Sequence, residues 1–219
     1  MTTTIYIARH GETNWNAQAR IQGQQDTILS EQGYRQRRSL FHLLKDEPIV
    51  RIYTSALQRT ILTAQPLSRS QSCPLLPMED LNELGFGIME GISLTNLDDD
   101  DQALWDWWLE DPLERAFPGG ESHLQLRDRI DNFLDNYEPP GDSEAILIVG
   151  HMRSNQMLLH RFLHLDLSST LLLRQPNDVV YRLTGPEQPA VHHAILRFDG
   201  TAPVWEEGVL MINLDDATP

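Results

Sequence analysis

The chain has 219 residues, 40% hydrophobic and 22% charged, which is ordinary folded-protein composition and enough length for one well-buried domain. Seventeen basic against thirty-two acidic side chains leave a formal net charge of −15, excluding the broad basic face that nucleic acid or an anionic membrane requires of a partner. A single cysteine, Cys73, excludes a disulfide framework; with no basic-then-apolar leader and no run of membrane-spanning length, the chain reads as cytoplasmic and soluble.

Ile5-Tyr6-Ile7-Ala8 is a short β-branched and aromatic run without a breaker, and it reads as a buried strand. It stops at Arg9-His10-Gly11, where burial no longer explains the residue choice. Residues 11–28 are polar and read as a functional loop. Ser30 offers an N-cap to a helix with Tyr34, Leu40, Phe41 and Leu44 on one face, reaching about Lys45 before Pro48 breaks it. Ile49 to Tyr53 read as a second strand. Thr54-Ser55 then cap a second helix that contains Arg59 and that Pro66 kinks or ends. Strand–helix–strand–helix order predicts a parallel sheet with helical crossovers.

Residues 74–79 read as a short strand, in or beside which Cys73 is a packed thiol, and residues 81–87 as a loop with two glycines. Residues 84–120 read as an inserted lid, helical in part: the run Asp98 to Asp101, then Trp105, Trp107 and Trp108, then Pro112, Pro118, Gly119 and Gly120. Leu104, Trp105 and Trp108 share a helical face and read as the lid's own packing or a subunit contact. The acidic run reads as a solvated face, because no ligand spacing for a metal accompanies it. A helix is expected over 121–137, ended by Pro139-Pro140-Gly141. Ala145 to Val149 is the most strand-like run, a central parallel strand buried on both faces, and it too ends in histidine, at Gly150-His151. A helix over about 153–164 follows, then strands at 179–184, 193–198, about 203–206 and 209–213, giving an edge extension over 192–219. The expected fold is α/β: a three-layer α/β/α sandwich with a mainly parallel central sheet, one domain over 1–219, with the small inserted lid.

If the two histidine-ending strands are neighbours, His10 and His151 share the crevice beyond the strands' carboxyl ends, where ligands collect in open α/β sheets. Arg9 precedes the first and Arg153 follows the second, while Arg59 starts a helix at the same edge. A lone histidine is more often a structural hydrogen-bonder; two at equivalent strand ends among arginines shift the balance to a site. Neutral imidazole attacks phosphorus, and arginine forks neutralise the equatorial oxygens. The leaving alkoxide needs a proton, for which Glu83, in its glycine-flanked loop, is the candidate. A serine-hydrolase reading lacks the G-x-S-x-G elbow, and a zinc reading lacks a second ligand at helical or turn spacing from either histidine.

Arg9-His10-Gly11-Glu12-Thr13-x-Trp15-Asn16 resembles the signature of the histidine phosphatase superfamily, in its phosphoglycerate mutase-like branch. The resemblance continues through Gln22-Gly23, Leu29-Ser30-Glu31-Gln32-Gly33, Ser55-Ala56-Leu57-Gln58-Arg59-Thr60, Leu81-Asn82-Glu83-Leu84-Gly85-x-Gly87 with Glu90-Gly91, Pro118-Gly119-Gly120-Glu121-Ser122 and Val149-Gly150-His151. It implies that His10 is the nucleophile and becomes phosphohistidine, that Arg9, Arg59 and His151 bind the phosphoryl group with Asn16 assisting, and that Glu83 is proton donor and then base. Gln22 and Gly23, together with Met152 and Arg153 beside the second histidine, complete the expected substrate-binding set. No metal and no cofactor are implied.

Met152 and Arg153 stand where such proteins commonly carry glycine or another small residue. Arg153 is read equally as a second anion anchor, for a substrate carboxylate, or as a cap or ion pair at the start of its own helix. His192-His193 are read as paired surface histidines, or as part of a pocket or subunit interface. Mutase and phosphatase share every catalytic residue. The short, acidic, tryptophan-bearing lid favours a phosphatase, and the whole chain is most similar to metal-independent phosphoserine phosphatases. L-phosphoserine is therefore the expected substrate, with phosphoglycerate mutase chemistry, sugar or ribazole phosphates, and a non-catalytic phospho-ligand binding module as alternatives. The expected partner is a small phosphorylated metabolite, and the apolar tail and tryptophan lid are compatible with a homodimer.

Overall fold

The structure is a computed structural model that describes residues 3–185, 189–198 and 201–210. Strands β1 (Thr4–Arg9), β2 (Ile49–Ser55), β3 (Leu75–Met78), β4 (Ala145–Gly150), β5 (Val179–Thr184), β6 (Ala190–Ile195) and β7 (Glu206–Glu207) form one sheet in the order β3-β2-β4-β1-β5-β6-β7. The first four in that order are parallel, and β5, β6 and β7 continue the sheet antiparallel. The mainly parallel core with helices about it is the expected α/β architecture. β4 lies at its centre with all six residues buried, which is why that segment reads as an unbroken apolar run rather than an alternating one.

Alternation along the inner strands separates the two cores. Ile7, Ile146 and Ile148 pack with Leu126, Ile130 and Phe133 of helix α5 (His123–Asn136) and with Met157, Leu158 and Leu159 of α6 (Met152–Leu163). Tyr6, Ala8, Leu147 and Val149 face the other way, against Leu40 and Leu44 of α2 (Glu31–Leu44) and Ala64 and Leu67 of α3 (Gln58–Gln71). Between β3 and α5 runs α4 (Asp99–Glu110), whose Trp108 is buried among Phe86, Trp105, Phe117 and His123. The acidic run has a local cause: Asp98 caps α4, accepting from the Asp101 N–H, and Asp99 to Asp101 sit in the first turn, where the helix dipole favours negative charge. Among the described residues no helix is long and apolar enough to cross a membrane.

Several boundaries differ from expectation. Thr54 and Ser55 are the last residues of β2, not the cap of α3, whose N-cap position is Leu57 without a side-chain bond. Pro66 does not end α3; the helix continues to Gln71, held against the sheet by buried Ala64 and Leu67 on either side of the proline. The polar loop after His10 contains a helical turn, α1 (Asn14–Ala17), closed by a reciprocal Thr13–Asn16 capping box. The strand expected at 193–198 is β6 at Ala190–Ile195, because its pairing with β5 runs from Thr184↔Ala190 to Val179↔Ile195 and the partner strand ends there. The strand expected at 203–206 is β7, Glu206–Glu207. Of the strand expected at 209–213, residues 209 and 210 are irregular and the rest lies outside the described residues. His193 is not a surface residue: it is buried on β6, its Nδ1 against the Gly208 carbonyl at 3.0 Å. Cys73 is buried as expected.

Candidate active site

The register between β1 and β4 builds the centre of the site. Arg9 pairs with Gly150, so the next residues along the two strands are His10 and His151. The His10 N–H extends the ladder to the Gly150 carbonyl at 3.0 Å, and the two imidazoles stand 5.1 Å apart, centroid to centroid. His10 is buried, and its Nδ1 lies 2.8 Å from the Gly11 carbonyl. A carbonyl only accepts, so Nδ1 carries the proton and Nε2 presents a bare lone pair. Burial first, then the nearby Arg59 and Arg9 charges, hold the His10 pKa well below its ordinary value. The ring is thus neutral and nucleophilic at physiological pH. Gly11 is required by packing: a Cβ there would lie 2.6 Å from the Gly33 carbonyl oxygen of α2.

His151 is fully buried behind this pair. Its Nδ1 accepts from Arg59 Nε at 3.2 Å, which places its proton on Nε2, 2.8 Å from Ser55 Oγ. Ser55 Oγ lies in turn 2.8 Å from Thr60 Oγ1. Burial, followed by the Arg59 charge, keeps the His151 pKa well below its ordinary value too. Arg59 is also fully buried, yet no carboxylate pairs with it among the described ion pairs. Backbone carbonyls of Gln25 and Gly23 hold its two Nη atoms at 2.6 and 2.7 Å, and burial lowers its pKa to about 10. Gly23 itself has φ +50°, and a Cβ on it would meet Glu90 Oε1 at 1.9 Å. That same Glu90 oxygen accepts from the Gln24 and Phe86 N–H groups, tying the arginine-holding loop to the segment expected to be a lid.

Glu83 follows a short 3₁₀ turn (Glu79–Leu81) and is buried at the edge of a cavity of about 510 Å³. Its Oε1 accepts from its neighbour Leu84 N–H at 2.9 Å and from the Arg153 N–H, in the first turn of α6, at 3.2 Å. A carboxylate at a helix N-terminus is favourably placed, and this one is aimed by backbone groups alone.

Every expected site residue except His151 lines that cavity: Arg9, His10, Asn16, Gln22, Gly23, Arg59, Glu83, Met152 and Arg153. His151 contributes from behind, through Arg59 and the His10 ring. Asn16 Oδ1 is taken by the Thr13 N–H, and Gln22 Oε1 by the Thr13 and Thr27 hydroxyls, so each amide has its NH2 edge left to offer a ligand. Arg9 Nη1 donates to the Gln175 carbonyl, while its buried Nε has no partner. Arg20, Arg174, Asn177 and Trp105 also line the wall and were not foreseen as site residues. Arg20 carried one signal, a basic residue in a polar loop of an acidic chain; it stacks over Trp15 at 4.5 Å and donates to the Gly91 carbonyl. Arg174 and Asn177 carried none, because they reach the site only through the pairing of β5 with β1; Asn177 Nδ2 donates to the His10 carbonyl at 2.7 Å. Trp105 packs on Phe117, as expected of the lid, and lines the cavity as well.

Five arginines and a single carboxylate face this cavity in a chain of net charge −15. Comparison with known proteins agrees with the geometry. Residues 5–194 match the family model described as "Histidine phosphatase superfamily (branch 1)". The chain is 31% identical to the "Probable phosphoglycerate mutase GpmB" of Erwinia tasmaniensis, covering 84% of this chain and 86% of that one. Among solved structures it is similar to a mycobacterial glucosyl-3-phosphoglycerate phosphatase, at 25% identity and a TM-score of 0.72, covering 95% of this chain and 98% of that one. The alpha-ribazole phosphatase of Shigella flexneri shares the fold, with a TM-score of 0.76 at 23% identity, over 94% of this chain and 100% of that one. The chain belongs to the histidine phosphatase superfamily.

Proposed function

We propose that the protein is a metal-independent phosphatase of small phosphomonoesters, acting in the cytoplasm through a phosphohistidine on His10, with L-phosphoserine as its substrate. The observation that carries this reading is the bare His10 Nε2, buried and neutral at the floor of an arginine-lined cavity. Nε2 attacks phosphorus and the ester P–O bond breaks. Glu83 delivers its proton to the departing oxygen. Arg9 and Arg59 meet the charge on the phosphoryl oxygens, with the Asn16 amide beside them. The imidazolium formed on phosphorylation keeps its Nδ1 proton on the Gly11 carbonyl. The Glu83 carboxylate then takes a proton from water as its oxygen attacks phosphorus, the P–N bond breaks, and inorganic phosphate leaves with His10 restored. Phosphoserine as substrate is supported by the Arg153 guanidinium, available for a carboxylate.

In EDTA, L-phosphoserine should turn over faster than other phosphomonoesters, and acid-labile phosphate should accumulate on the protein. His10→Ala should lose at least ~10³-fold in kcat with its circular dichroism intact. Equal rates across a substrate panel would remove phosphoserine; activity retained in His10→Ala would remove the mechanism, and failure to phosphorylate His10 would leave a binding module. The curated relative's name supports a second reading, a mutase that returns the phosphoryl group to substrate instead of water. Interconversion of 2- and 3-phosphoglycerate faster than phosphate release would establish it.

A further inference from the structure

One phosphoryl group does not account for all the positive charge in the cavity. Arg153 is the informative residue. Among the described residues its guanidinium has one hydrogen-bond partner, the neutral Gln156 Oε1 at 3.2 Å, and its Nε is buried without any. The one carboxylate on the wall, Glu83, bonds to the Arg153 backbone N–H and forms no ion pair with its side chain. Gln156 is itself fixed, its Nε2 donating to the Leu171 and Leu173 carbonyls at 3.2 and 2.6 Å, so its oxygen is turned to hold the guanidinium in place.

Helix capping does not explain this arrangement. Arg153 lies in the first turn of α6, where the macrodipole is positive and a cation is unfavourable. Desolvation is unfavourable as well; the nearby Glu83 charge offsets part of that cost without an ion pair to the guanidinium, and the neighbouring Arg174 adds like charge. A half-buried guanidinium at a helix N-terminus, lining a cavity with its buried Nε unpartnered and a second arginine beside it, is placed to receive an anion.

Resting on the phosphatase reading, we infer that Arg153, oriented by Gln156 and with Arg174 beside it, binds a second anionic group of the substrate, a carboxylate or a second phosphate. Phosphorylated acids or bisphosphates are then selected over plain alkyl phosphates, and Arg153 determines specificity without taking part in bond breaking.

The test uses alkyl phosphates that differ only in the second group: ethyl phosphate with none, phosphoglycolate with a carboxylate, L-phosphoserine with a carboxylate and an ammonium, and 1,3-propanediol bisphosphate with a second phosphate. For the wild-type enzyme, kcat/KM on at least one doubly anionic ester should exceed that on ethyl phosphate at least tenfold, and the preferred ester identifies the group. Arg153→Met should lose at least tenfold more on that ester than on ethyl phosphate, mainly in KM, and Arg153→Lys should recover part of it. Equal losses on all esters, or an unchanged preference, overturn the inference. If Arg153→Met does not fold, the wild-type preference and the Arg153→Lys ratio decide the question alone. A wild-type enzyme that hydrolyses none of the four and carries no phosphate on His10 refutes the phosphatase reading itself, which is a different result from hydrolysis without preference.

Discussion

At the scale of single residues, the site divides its labour between the side chains proposed to react and backbone groups that aim them. The Gly11 carbonyl fixes the His10 tautomer, and the Gly23 and Gln25 carbonyls hold Arg59. The amides of Leu84 and Arg153 orient Glu83. Glu83→Gln keeps the shape and one acceptor for these amides but has no proton to give. It should lower kcat/KM on alkyl esters, which reports the steps up to phosphorylation of His10 and not the later attack of water, by about 10²–10⁴. The loss should be much smaller on p-nitrophenyl phosphate, whose leaving group needs no protonation. Equal losses on both esters, read from initial rates, would take the acid role away from Glu83. The residues proposed to react, which the fold gathers at one cavity, were legible in the sequence because chemistry dictates their type: a histidine ending a strand, arginines against the charge trend, a carboxylate in a glycine-flanked loop. Ser55 was legible as a motif member but not as the partner of the His151 Nε2 proton, since that contact spans 96 residues and exists only once β2 and β4 are paired.

At the scale of elements, the parallel β1–β4 register is the decisive feature, and a one-residue slip would turn one histidine to the opposite face of the sheet. The long apolar runs and helix caps made the inner strands and α2, α5 and α6 readable. β5 falls at its expected 179–184, but β6 and β7 were misplaced by up to three residues because their limits are set by pairing partners, not by their own composition. The segment expected to be a lid is packed around an aromatic cluster, with Trp108 touching Phe86, Trp105, Phe117 and His123. Trp108→Ala should cost about 3–5 kcal/mol if the cavity does not collapse. Because Phe86 and Trp105 also line the active-site cavity, KM should rise along with the fall in denaturant midpoint. A destabilised variant with an unchanged KM would show that the lid packs without shaping substrate binding.

At the scale of the whole molecule, the protein carries three histidines that burial keeps neutral: His10, His151 and His123, the last with its pKa lowered to about 3. The unfolded chain protonates them near pH 6.5, so below that the unfolded state binds more protons than the folded one. Their contribution is fully present above about pH 6.5 and is lost as pH falls toward the depressed folded-state values, at up to ~1.4 kcal/mol per histidine for each pH unit. The melting temperature should therefore drop between pH 7 and pH 5, where most carboxylates remain charged. His123→Phe should flatten part of that slope. A melting temperature that does not change over this interval would contradict the buried neutral state of these rings.

The backbone contact between Glu83 and the first turn of α6 has a consequence for how this site can change over generations. The amide at position 153 that holds the carboxylate is supplied by any amino acid except proline, so the anchorage of the acid does not depend on which side chain stands there. The side chain at 153 meanwhile lines the cavity. A single codon can therefore retune what enters the cavity while leaving that anchorage in place, a separation through which one fold could diversify its diet of phosphate esters.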